Sequence, residues 1–170
     1  MGIVTLKTNS AGLSVTGFGA IASATDLVMA MRFQASWLKS LSTQRDLLAI
    51  HNGSNRKLDI SAYPDGSGRG FLIGWRRADG VVWLDDMGTG AHAPLTNTDW
   101  LVLRTQYLSS VAGGQLVARL YNAANPLLSE SSVKADYGTL ITTGYEQLNV
   151  YRASTTLVLG GLALWNAVPS

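Results

Sequence analysis

The chain has 170 residues and a mass of 18.1 kDa, enough for one domain that buries roughly 70% of its unfolded surface without covalent staples. It has no cysteine, which excludes a disulfide framework, thiolate zinc sites and a cysteine nucleophile. Charged residues are 14% of the chain and the net charge is +2, with no basic run longer than Arg56-Lys57 or Arg76-Arg77, so the stripe of cations that a nucleic acid requires is missing.

Residues 1–25 are rich in Gly, Ser, Thr and Ala and alternate weakly, as an edge strand or an arm docked on a neighbour would. The opening Met1-Gly2-Ile3-Val4-Thr5-Leu6-Lys7 lacks the basic start and apolar core of a signal peptide, and no window is apolar for long enough to span a membrane as a helix. From Asp26 the period is two: Met29, Met31 and Phe33 fall on one side of a strand, Arg32 and Gln34 on the other. Trp37–Gln44 is the best helical candidate. Leu47–Ile50 and Leu58–Ala62 are strands around a turn at Asn52-Gly53, whose residues tolerate positive φ. Phe71–Trp75 and Val81–Leu84 flank Asp79-Gly80 in the clearest hairpin. Trp100–Thr105 and Gln115–Tyr121 follow, then Leu148–Tyr151, Leu157–Leu159 and a closing Leu162–Trp165. Short strands with turn residues between them, and no βαβ alternation, predict an all-β antiparallel fold over residues 26–170, a two-sheet sandwich or a barrel.

Three stretches in order resemble the concanavalin A-like jelly roll, laminin-G-like domains in particular. They are Met31-Arg32-Phe33-Gln34-Ala35-Ser36-Trp37 with Asp46–Ile50, then Asp99-Trp100-Leu101-Val102-Leu103 with Gly114–Asn122, and finally Leu159-Gly160-Gly161-Leu162-Ala163-Leu164-Trp165-Asn166. The resemblance covers residues 27–168 and implies that the last strand returns beside the first. Calcium-holding members place acidic residues in edge loops, where this chain offers only Asp85-Asp86. Glycan-hydrolysing members carry glutamates two and four apart on one strand, and here Glu130 and Glu146 stand alone in different segments.

Glycoside hydrolysis needs two carboxylates across the scissile bond. Asp85 and Asp86 are adjacent, so a strand would turn them to opposite faces. His51 and His92 read as loop residues, there is no Gly-x-Ser-x-Gly elbow, and two distant histidines without cysteines are a poor zinc site. Gly17-Phe18-Gly19 lacks the Lys-Ser/Thr and helix of a phosphate loop. Asn52-Gly53-Ser54 reads as a turn rather than a glycosylation site. Trp75 and Trp83 are expected in the core, as are Trp100 and Trp165. No catalytic residue, metal or cofactor is expected. A ligand would be held by Arg76, Arg77 and Asp79 at the hairpin tip, or by Asp85 and Asp86 beyond it.

Few charges make subunit contacts easier to desolvate. With no cysteine and no export signal, this suggests a virion component assembled in a host cytoplasm: a non-enzymatic phage capsid decoration or tail/fibre protein. Its partners would be other virion subunits or itself, as a homo-oligomer such as a trimer. The alternative is a lectin-like module for a surface glycan. Neither nucleic acid nor membrane is expected as a partner.

Overall fold

The computed structural model describes residues 4–6, 13–16, 26–52, 55–64, 71–77, 80–84, 96, 98–122, 130–138, 147–151 and 157–165. Along the chain these form β1 (Val4–Leu6), β2 (Leu13–Thr16), β3 (Asp26–Gln34), α1 (Ala35–Lys39), β4 (Arg45–Asn52), β5 (Asn55–Ala62), β6 (Phe71–Arg77) and β7 (Gly80–Leu84). There follow β8 (Trp100–Leu108), β9 (Gln115–Asn122), β10 (Glu130–Lys134), β11 (Gln147–Val150) and β12 (Leu157–Trp165).

Two six-stranded sheets result. The first runs β1-β12-β3-β8-β9-β10 and the second β2-β11-β4-β5-β6-β7, with antiparallel pairing throughout. The expected all-β sandwich is the observed fold, and β12 does return beside β3. Residues 1–25 supply β1 and β2, one outermost strand for each sheet.

Alternation explains the layers. Met29, Met31 and Phe33 of β3 are at most 1% exposed, while Arg32 and Gln34 between and beyond them are half-buried on the outside. From the second sheet, Leu58 and Ile60 meet them with Phe71, Ile73 and Trp75, all wholly buried. Each such side chain contributes about 1.5–3 kcal/mol by leaving water. Phe33 holds the centre, edge-on to Trp37 at 6.3 Å and to Phe71 at 6.2 Å. Trp37 reaches it from α1, a five-residue helix that starts two residues before the stretch expected to be helical and overlaps it only over residues 37–39.

Two polar bonds pin the layers together. The indole Nε1 of Trp75 donates to Thr105 Oγ1 across the sandwich at 3.1 Å. The buried Tyr137 hydroxyl accepts from the Trp75 backbone N–H at 3.0 Å and donates to the Trp75 carbonyl at 2.7 Å. A buried hydroxyl needs such partners, and here it also caps β6 from the segment after β10.

Trp100 departs from expectation. It opens β8 on the outward side of the first sheet, half-buried, with the Arg32 guanidinium 4.4 Å over its ring. Its ring crosses β12 at Gly160, where a Cβ would lie 2.7 Å from Trp100 Cζ3. Gly160 is also where the β12–β3 register shifts, so what the sequence suggests as two strands is one bulged strand. The side chains of Trp83 and Trp165 lie outside the described residues, as do His92, Glu146, Gly17-Phe18-Gly19 and Gly53-Ser54.

Candidate functional site

The outward face of the second sheet gathers polar groups. The register aligns Asn149 of β11, Ala49 of β4, Asp59 of β5 and Gly74 of β6 in one row, with the backbone of Trp83 next in line on β7. Asp59 is only 4% exposed, and a carboxylate so enclosed is stable only when neighbouring groups answer its charge, as they do here. Ser61, two residues along β5, is buried and donates to Asp46 Oδ1 at 2.9 Å. A bulge between Asp46 and Leu48 brings that carboxylate opposite Ser61.

Tyr151 leaves β11 with its backbone N–H on the Leu47 carbonyl at 2.9 Å. Its hydroxyl meets His51 Nε2 at 3.1 Å. Leu47 and His51 are four residues apart on β4, roughly 13 Å at strand rise. The phenol therefore lies along the stretch of β4 that contains Ala49, which is wholly buried. Tyr151 and His51 are each half-buried, so the pair keeps access to solvent. A phenol joined to an imidazole can pass a proton in either direction, and an aromatic flanked by an amide and carboxylates can hold a sugar ring.

His51 is not a turn residue; it belongs to β4. Its partner lies one hundred residues away, so no spacing in the chain announces the pair. The one available signal is that Tyr151 falls two places beyond Asn149, on the polar side of its strand.

The expected ligand residues are separated. Arg76 follows Gly74 by two on β6, so its backbone position falls on the same outward face, but its side chain is outside the described residues. Arg77 alternates to the other side and is half-buried against Gly138, where a Cβ would stand 3.1 Å from Arg77 Nε. Asp79, Asp85 and Asp86 lie outside the described residues. Among the described residues, no three His, Cys, Asp or Glu side chains gather as a metal site would require, and no helix is long and apolar enough to cross a membrane. An open hollow of about 440 Å³ beside the β8–β9 turn is lined by Ser109, Ser110 and Tyr107. The Tyr107 hydroxyl is committed to the Gly138 carbonyl at 2.8 Å, so the hollow carries little chemistry.

No family model matches the sequence, and no curated protein matches it. Solved structures do share its fold. The enzymatically active domain of tailspike protein 2 from bacteriophage CBA120 matches over 89% of this chain at 11% identity and a TM-score of 0.59. The binding domain of botulinum neurotoxin serotype D matches over 96% at 10% identity and a TM-score of 0.60. The PL-14 alginate lyase of Aplysia kurodai matches over 96% of this chain and 86% of its own length, at 8% identity and a TM-score of 0.52. The chain spans 23% of the tailspike domain and 39% of the toxin domain. These likenesses correct one expectation. The chain was expected not to be an enzyme because it lacks paired glutamates, yet the same sandwich serves a tailspike enzyme domain and an alginate lyase. Paired carboxylates are a demand of glycoside hydrolysis; a base for elimination can be a tyrosine or a histidine.

Proposed function

We propose that this chain is a carbohydrate-engaging sandwich of a phage tail or other virion component, and that it holds sugar on the outward face of the second sheet. The observation that carries this reading is the Tyr151–His51 pair laid along β4 beside Asn149, with the Ser61–Asp46 pair and Asp59 on the neighbouring strands. An aromatic body with a rim of fixed polar groups suits a pyranose, whose ring faces are apolar and whose edge is hydroxylated. The backbone position of Arg76 falls on this same face. The fold shared with a phage tailspike domain and the low charge of the chain support a place among virion subunits, as a homo-oligomer. A glycan array probed with the wild type and with Tyr151→Phe, beside light scattering for mass, tests it. A bacterial surface glycan is expected to bind, about tenfold more weakly to the variant, which loses one polar partner. No glycan bound, or equal binding by the variant, overturns the site; a monomer overturns the assembly.

A second reading is favoured by the 3.1 Å contact itself. Were the bound sugar a uronate, the phenol–imidazole pair could take the proton beside the carboxylate. The glycosidic C–O bond would then break, the leaving oxygen would be protonated, and an unsaturated sugar would remain. Ultraviolet absorbance by that product on incubation with alginate, abolished by Tyr151→Phe, is the expected outcome. No absorbance change with the wild type removes this reading and leaves the binding site standing.

A further inference from the structure

The outward face of the first sheet is built differently. On β3, β8 and β9, alternation turns Arg32, Arg104 and Arg119 outward while Met31, Leu103 and Leu120 fill the core. The register places Arg104 directly opposite Arg119 on one side and opposite Ala30 on the other. Like charges across a strand pair repel, and Ala30 offers nothing to answer them. The Nε of Arg104 is enclosed and has no hydrogen-bond partner, and an enclosed donor without an acceptor is unfavourable. Arg32 is taken up by the Trp100 ring, 4.4 Å beneath its guanidinium. Among the described side chains of this face there is no carboxylate; Gln106 and Tyr121, each two residues from one of the opposed arginines, are half-buried.

We propose that Arg104 and Arg119 form a seat for a carboxylate, and that its occupant is an acidic polysaccharide bearing uronate groups. A carboxylate between the two guanidinium heads cancels the cross-strand repulsion. The guanidinium fork matches the carboxylate's two oxygens with parallel hydrogen bonds. The Gln106 amide and the Tyr121 phenol border the seat with groups suited to sugar hydroxyls. Two opposed guanidiniums are too few to follow a nucleic acid backbone, which needs a line of them. The seat lies on the opposite outer surface of the sandwich from Tyr151 and His51, and stands or falls separately from them.

Calorimetric titration with oligogalacturonate, a neutral glucan oligomer and duplex DNA tests the proposal on four proteins: wild type, Arg119→Gln, Arg104→Lys and Arg45→Gln, the last removing an exposed cation from β4 of the other sheet. Arg119 is exposed, so Arg119→Gln keeps the fold even if the half-buried Arg104 does not tolerate change. Oligogalacturonate is expected to bind the wild type more tightly than either other probe, and less tightly as salt rises. Arg119→Gln should weaken it about tenfold, the usual order for losing one charge-assisted contact, with Arg45→Gln unchanged. Absence of oligogalacturonate binding by the wild type, undiminished binding by Arg119→Gln, or equal affinity for duplex DNA overturns the seat. An equal loss in Arg45→Gln would make the binding a matter of net charge and overturns it too.

Discussion

Single side chains decide how tightly the two layers are joined. The Tyr137 hydroxyl serves both backbone groups of Trp75, so Tyr137→Phe takes a hydrogen-bond partner from each of them in the interior. Urea unfolding is expected to show a loss of about 2 kcal/mol; a change near zero would mean that water reaches β6. Asp99 works at the surface before β8. It accepts from the Thr96 backbone N–H at 2.9 Å and from Thr96 Oγ1 at 2.8 Å. These bonds, with a lesser contribution from Lys39, hold its carboxyl below the usual aspartate range. A lowered folded-state value means that the contribution is complete above the unfolded value and lost as pH falls through the folded one. The urea midpoint of Asp99→Asn should therefore lie below that of the wild type at neutral pH, and the two should converge in acid. A gap that is constant across that range would assign the effect to something other than the charge.

Strands carry the lesson about what the chain alone makes legible. Those with a buried face, β3, β6 and β8 among them, are plain because alternate burial needs alternate apolar residues. β10 reads Glu130-Ser131-Ser132-Val133-Lys134 and is invisible by that criterion: as an edge strand it rests on one neighbour and exposes Val133 at 56%. β12 was legible as two pieces because glycine marks both a turn and a bulge, and only pairing with β3 distinguishes them. The face bearing Tyr151 and His51 was hidden for a related reason. Alternation tells which residues point outward but not which strands become neighbours, and β11 joins β4 from far along the chain. Gly160 tests the bulge. A methyl group there would stand 2.7 Å from Trp100 Cζ3 and 3.3 Å from Arg32 Cδ. Gly160→Ala is expected to displace the ring, shift tryptophan emission to the red and destabilise the protein by about 1–3 kcal/mol. Unchanged emission would show that the ring stays in place and the backbone of β12 gives instead.

At the scale of the molecule, each sheet collects strands from distant parts of the chain, and most contacts span a dozen residues or more. Such non-local wiring slows folding relative to helical domains of equal length, because loops must close before their contacts form. It also gives the sandwich two outer surfaces of unlike chemistry, one with a phenol–imidazole pair and one with opposed arginines. The first sheet contains a further asymmetry, in that β1 lies antiparallel to β12, Val4 against Leu159 and Leu6 against Leu157. A tether attached ahead of Val4 and another beyond Trp165 would load that three-residue seam at its margin. Tension would peel its hydrogen bonds in succession instead of shearing them together, so under mechanical strain β1 would let go while the remaining strands stayed closed.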